Sequence, residues 1–277
     1  MGKFRATGQR EALPVHLPEA LPVHSGKRIL VTGAARGLGK AVAALLVHQG
    51  ARVWILDILG PELAETAEEL GIGDRYGIVD VSAEQSVIDA VAAARKGLGG
   101  FDGVANIAGI VRHADPLDIP RADWERLHEI NVIGSYKVAQ LVARAMIDEG
   151  VHGSIVNTAS EAGKIGHVDS LAYSASKAAV ISMTRMLSES LAPNDINVNC
   201  VCPGGLPTAM LREVAETYAA IVQEDDIDAV FDRLISSQLH RHTSLEEVAH
   251  VYSFLLSDAA NTVRGQAINA DGGDTPY

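Results

Sequence analysis

Three side chains near the middle of this sequence are of types that can hold and move a proton. Tyr173 and Lys177 lie four residues apart in a stretch with helical periodicity, so they share one face. A phenol titrates near ~10, too high for a base at neutral pH, and a nearby ammonium lowers that value by favouring the ionised form. Tyr173 is then placed to take an alcohol's proton as hydride leaves the adjoining carbon. Ser160 closes a β-branched run and could hydrogen-bond and polarise the same oxygen. Chance supplies Tyr-x-x-x-Lys often, so the pair gains force only from its surroundings.

The first β-branched run leads straight into Thr32-Gly33-Ala34-Ala35-Arg36-Gly37-Leu38-Gly39, and a helical pattern follows. Glycines in such a turn let the backbone approach a pyrophosphate and let the helix pack closely on the sheet. Free N–H groups at the helix start then face the phosphates. The expected contacts are Thr32, Gly33, Arg36, Gly37, Leu38 and Gly39. The second run ends at Asp57, where a carboxylate accepts hydrogen bonds from the adenosine ribose. A 2′-phosphate would meet that charge, so NAD is favoured over NADP. Arg36 argues the other way, but Ile58 and Leu59 offer no cation. The competing role for Asp57 is a strand-end cap. Asp80, followed by Val81, ends the third run, where the adenine amino group could be held. A plain turn aspartate is the alternative there.

These residues need elements to position them. From Lys27 onward, short runs alternate with amphipathic stretches. The runs are Arg28–Thr32, Ala51–Asp57, Tyr76–Asp80, Gly103–Gly109, Ser154–Ser160, Ile196–Val201 and Gln266–Asp271. Helical patterns between them include Leu38–Gln49, Glu84–Lys96, Trp124–Asp148, Tyr173–Leu191 and Leu245–Leu256. Repeated strand–helix–strand order predicts a single-domain α/β fold of Rossmann type. It is a doubly wound parallel sheet of about seven strands with helices on both faces. The catalytic domain is expected over residues 27–277. Residues 206–242 form a helix-prone excursion on the substrate side, and its acidic cluster of Glu224, Asp225, Asp226 and Asp228 reads as a solvated face. Residues 1–26, with the repeat EALPVH at Glu11–His16 and Glu19–His24, read as an extended N-terminal arm.

The 277 residues are 47% hydrophobic and 21% charged, enough apolar content for one sizeable core. A net charge of −12 disfavours nucleic acid and anionic membranes, and no apolar run is long enough to span a bilayer. Cys200 and Cys202, two apart on a predicted strand, face the same side and read as buried free thiols. No metal site is expected, because neither has further ligands at a matching spacing. A reduced, cytoplasmic setting fits.

With these motifs in hand, the sequence resembles the classical short-chain dehydrogenases/reductases over about residues 27–273. The turn matches the family's TGxxxGxG, and Ser160 precedes Tyr173 by thirteen residues, a usual family spacing. The resemblance implies that Asn131 is the family's catalytic asparagine, holding a water in a proton relay, and that Lys177 also holds the nicotinamide ribose. Asn106-Ile107-Ala108-Gly109 is similar to the family's NNAG without the second asparagine, which puts Asn106, Ala108 and Gly109 beside the cofactor. Pro203-Gly204 and Thr208 match a segment beside the nicotinamide, and Asp271-Gly272-Gly273 is a typical ending. The implied enzyme interconverts a secondary alcohol and a ketone. Glu161, His167, His113 and the excursion are candidates for lining the substrate, which suits a polyol or sugar. The rivals are a sugar-nucleotide epimerase or dehydratase and a non-catalytic dinucleotide-binding protein. A homotetramer built on Trp124–Asp148 and Tyr173–Leu191 is implied by resemblance alone.

Overall fold

The computed structural model describes residues 23–235 and 237–275. Residues 1–22, most of the expected arm, lie outside the described residues. The strands are β1 (Arg28–Thr32), β2 (Arg52–Asp57), β3 (Tyr76–Ile78), β4 (Gly103–Asn106), β5 (Ser154–Thr158), β6 (Asn197–Pro203) and β7 (Ala267–Ala270). They form one sheet in the order β3-β2-β1-β4-β5-β6-β7, with every pairing parallel.

Side chains alternate across a strand, and both faces of this sheet are apolar. On one face Ile29, Val31, Val53 and Ile55 pack with α1 (Gly37–His48), α2 (Gly60–Glu69) and α9 (Leu245–Leu256). On the other, Leu30, Leu56, Val104 and Ile155 meet α3 (Glu84–Leu98) and α5 (Ser135–Glu149). α6 (Leu171–Leu191) lies on that second face, where Val180 and Ile181 cover Cys200 and Cys202. Both cysteines are buried and unbridged.

The stretch expected as one helix from Trp124 is α4 (Arg121–His128), a wider π turn (Glu129–Gly134) and then α5. The π turn carries Asn131. Such turns arise where an extra residue is accommodated in a helix, often at functional sites.

The excursion is α7 (Ala209–Val222) and α8 (Ile227–Arg233), which share a small core of Ala215, Ala219 and Val230. Its acidic cluster does more than face solvent. Asp226 caps α8 by accepting from the Ala229 N–H (3.0 Å), and Asp228 pairs with Arg212 across the two helices.

Candidate active site

The sheet order reverses between β1 and β4, so the connections leaving these strands diverge and open a crevice at their C-terminal ends. Thr32, Asp57, Asn106, Thr158 and Pro203 end five strands along that edge.

The glycine turn fits a dinucleotide. Gly33 has φ +68°, and a side-chain carbon there would lie 2.7 Å from the Ala108 nitrogen. Gly39 lets α1 approach the turn, since its missing Cβ would fall 2.0 Å from the Gly33 carbonyl oxygen. The N-terminus of α1 has no side-chain cap and no acidic residue in its first turn, so its N–H groups are left for an anionic ligand. Leu38 is buried within α1, and Arg36 is exposed at its head. The Thr208 methyl would be 3.5 Å from a Cβ on Gly37, so the start of the excursion borders the turn. Gly204, after β6, packs on Asp271, whose carboxylate accepts from the N–H groups of Gly273 and Thr275 (2.9 Å each).

Asp57 stands beside the turn. Its carboxylate accepts from the N–H of Ala35 (2.9 Å) and of Leu59 (3.1 Å). The cap and ribose roles are therefore compatible, because a carboxylate has further lone pairs. Asp80 lies two residues beyond β3. It accepts from the N–H (2.9 Å) and hydroxyl (2.6 Å) of Ser82, which hold it below the usual carboxylate range. It is built as a turn aspartate. Val81 packs against Gly134 of the π turn, which leaves no room for a side chain.

Two of the expected cofactor contacts have side chains that are engaged within the protein. The Asn106 side chain is buried and donates to the Ser135 carbonyl (3.2 Å) and to Asn157 (3.0 Å), so it ties β4 to its neighbours beneath the crevice. The Thr32 hydroxyl oxygen accepts from the N–H groups of Ile107 (3.0 Å) and Ala108 (3.2 Å). It bends the chain out of β4 and presents Ala108 and Gly109 to the crevice.

The proposed proton-handling residues converge beyond this point. Lys177 is buried (4% exposed) and donates to the Thr158 carbonyl (2.8 Å). Its Nζ lies 5.7 Å from the Tyr173 ring centre. A Cβ on Gly109 would be 3.5 Å from that Nζ and 3.1 Å from Asn131 Oδ1, so glycine keeps the approach open. Asn131 donates to the Ser176 hydroxyl (3.1 Å), which donates to the Tyr173 carbonyl (2.7 Å). The asparagine is thus tied to the helix turn that carries the tyrosine and lysine. The Ser160 hydroxyl accepts from the Ala162 N–H (3.2 Å) and donates to Glu161 Oε2 (3.3 Å).

The expected lowering of the tyrosine pKa is not present in the protein alone. Burial pushes Tyr173 up to about 12; the neighbouring Ser160 hydroxyl opposes the rise and Glu161 adds to it. Burial also pushes Lys177 down to about 8. Burial penalises each charged form, and it outweighs the opposing influences of the Ser160 hydroxyl on Tyr173 and of Cys202 and Cys200 on Lys177.

Sequence reasoning missed Thr158 and Ser176. Thr158 supplies the acceptor for Lys177, and its hydroxyl donates to the Asn106 carbonyl (2.6 Å) and lies 2.7 Å from the Tyr252 hydroxyl. Neither residue belongs to a spaced motif, and each acts through a contact only the fold creates. Of the candidate substrate residues, Glu161 and His167 meet at 3.4 Å, and His113 sits 3.4 Å from Asp169.

A doubly wound sheet with an open glycine turn, and a Ser–Tyr–Lys group at the same strand ends, defines a dinucleotide-dependent oxidoreductase. A family model described as enoyl-(acyl carrier protein) reductase matches residues 33–275. An NAD-dependent glycerol dehydrogenase of Listeria innocua is 37% identical over 251 residues, covering 90% of this chain and 94% of that protein. A xylitol dehydrogenase solved with NAD+ superposes with a TM-score of 0.85 at 33% identity, covering 90% of this chain and 99% of the other. An actinorhodin polyketide ketoreductase solved with NADPH also gives 0.85 at 33% identity, covering 93% and 100%. The chain belongs to the short-chain dehydrogenase/reductase family. It is an oxidoreductase that interconverts a secondary alcohol and a ketone.

Proposed function

We propose that this protein is an NAD-linked dehydrogenase of a polyol or sugar alcohol. The observation that carries the reading is the meeting of Ser160, Tyr173 and Lys177 beside Gly109, at the strand ends next to the glycine turn. Bound NAD supplies the hydride acceptor. The Ser160 hydroxyl hydrogen-bonds the substrate oxygen, and the Tyr173 oxygen receives its proton. Lys177 favours the ionised tyrosine and hydrogen-bonds the cofactor ribose. Asn131 holds the turn that presents both and anchors a water that returns protons to solvent.

The turn of Gly33, Arg36, Gly37, Leu38 and Gly39 would hold the pyrophosphate, and Asp57 the adenosine ribose. Asp80 and Val81 would flank the adenine, with Ala108, Gly109, Pro203, Gly204 and Thr208 around the nicotinamide. NAD over NADP is supported by the carboxylate of Asp57 beside the turn and by the glycerol and xylitol dehydrogenases this chain resembles. Arg36, exposed at the same turn, is the residue that would serve NADP.

The catalytic domain spans residues 27–277, and His24, just before it, packs against its core. The enzyme works in the cytoplasm as a homotetramer. Exposed Ile133, Tyr136 and Ile147 along α5 and its π turn, with Leu171 and Met186 on α6, support that assembly. Its partners are an alcohol and its ketone, with no nucleic acid and no membrane; among the described residues no helix is long and apolar enough to span a bilayer. The test is a substrate panel with NAD and NADP. Reduction of NAD by glycerol, xylitol or sorbitol is expected. Turnover of acyl thioesters with NADPH, and of no polyol, would overturn the reading.

A further inference from the structure

The residue after Ser160 is a carboxylate with little access to water. Only 12% of the Glu161 side chain is exposed. It begins the short turn Glu161–Gly163 that Ser160 caps. Its two oxygens are held from opposite sides, Oε2 by the Ser160 hydroxyl at 3.3 Å and Oε1 by His167 Nε2 at 3.4 Å. Both contacts are long for hydrogen bonds. A carboxylate has about four lone-pair directions, so Glu161 keeps acceptor capacity that these contacts do not use.

The position of this spare capacity matters. Ser160 addresses the substrate's reacting oxygen in the reading above, and Glu161 Oε2 is one hydrogen bond away from it. Glu161 also acts electrostatically on the Tyr173 hydroxyl, so its charge reaches the place where that oxygen must sit. Asp169 and Asp274 add negative charge around His167. A hydroxyl on the carbon next to the reacting one would find an acceptor there, and an anionic group would find repulsion.

We propose that Glu161, backed by His167, is a specificity-determining residue that accepts a hydrogen bond from the neighbouring hydroxyl of the substrate. The site then takes neutral vicinal diols and turns away substrates with an anion at that position. This rests on the polyol reading above and narrows it.

Three substrates share the same reacting carbinol and methyl group and differ in one substituent: propane-1,2-diol, propan-2-ol and lactate. The wild-type enzyme should rank them in that order by kcat/KM with NAD. Glu161→Gln should cut the diol-to-propan-2-ol ratio about tenfold, the loss typical of a charge-assisted hydrogen bond, and raise the lactate-to-propan-2-ol ratio. His167→Leu, which removes a countercharge, should lower the lactate ratio further. A parallel loss on all three substrates in Glu161→Gln would make Glu161 a support for Ser160 alone and overturn the proposal. Unchanged ratios in both variants would overturn it too. Wild-type activity on propan-2-ol with none on any diol or polyol would sink the polyol reading and this inference together. A diol preference that survives Glu161→Gln would remove only the inference.

Discussion

The side-chain amide of Asn131 clasps both backbone groups of Ile110: its Oδ1 accepts from the N–H at 2.9 Å and its Nδ2 donates to the carbonyl at 3.0 Å. The π turn aims the asparagine across to the loop after β4, and the loop is fixed beside Lys177 as a result. Asn131→Ala leaves two partly buried backbone groups without their partner. It should destabilise the protein by about 1–3 kcal/mol in urea unfolding and lower kcat as well. Unaltered stability would show that the clasp holds nothing.

Lys177 carries a pH signature in the ligand-free protein. Its pKa falls from 10.5 to about 8 on folding, because burial disfavours the ammonium. Below pH 8 both folded and unfolded chains hold the proton, and the full burial penalty applies. As pH rises from 8 towards 10.5, the folded lysine loses its proton first and the penalty is relieved. Lys177→Met should therefore be more stable than wild type at pH 7, by at most about 3 kcal/mol, and the gap should close across that window. Chemical unfolding at several pH values reads this directly, and a gap that does not vary with pH would contradict it.

Asp57 has two roles to separate. Asp57→Asn keeps an oxygen for only one of the Ala35 and Leu59 N–H groups, which bond to different carboxylate oxygens, and removes the charge that repels a 2′-phosphate. The ratio of kcat/KM for NAD to that for NADP should drop about tenfold or more, with a modest fall in melting temperature from the one N–H that loses its acceptor. An unchanged ratio would mean that the ribose is read elsewhere.

His24 is the end of the second EALPVH repeat and is fully buried. Ser253 donates its hydroxyl hydrogen to Gln49 (2.5 Å), so it accepts from His24 Nε2 at 3.1 Å. Nδ1 is buried with no partner, and burial lowers the pKa from 6.5 to about 4. Below 6.5 the unfolded chain takes a proton that folded His24 refuses, so stability should fall as pH drops from 6.5 to about 4. The loss is at most about 3 kcal/mol. In His24→Gln this part of the acid sensitivity should disappear, and an identical pH profile would rule the histidine out as its source.

Strand identity and order of chemistry were legible because both rest on local patterns. β1 starts at Arg28 and ends at Thr32 as its apolar run does. The limits of other elements depend on contacts the sequence does not display. The run Gly103–Gly109 pairs only to Asn106, because Thr32 captures the next two N–H groups. The third strand stops at Ile78, and Asp80 turns back on Ser82. A 3.6-residue period does not register a single wide turn, so the π segment around Asn131 was hidden inside an ordinary helical pattern. Side-chain direction was hidden as well. Asn106 sits in a motif associated with the cofactor, yet its amide is used inside the sheet. For Tyr173 and Lys177 the spacing was visible but the degree of burial was not, and burial sets the sign of both pKa shifts.

Tyr173→Phe tests the central claim most directly. The substitution removes one hydroxyl, so NADH binding, followed by fluorescence, should stay close to wild type. NADH formation from NAD and a polyol should fall by about 100-fold to 10,000-fold, the range for losing a positioned acid–base group. Wild-type rates in Tyr173→Phe would contradict the account, because the proton would then leave by a route that does not involve this tyrosine.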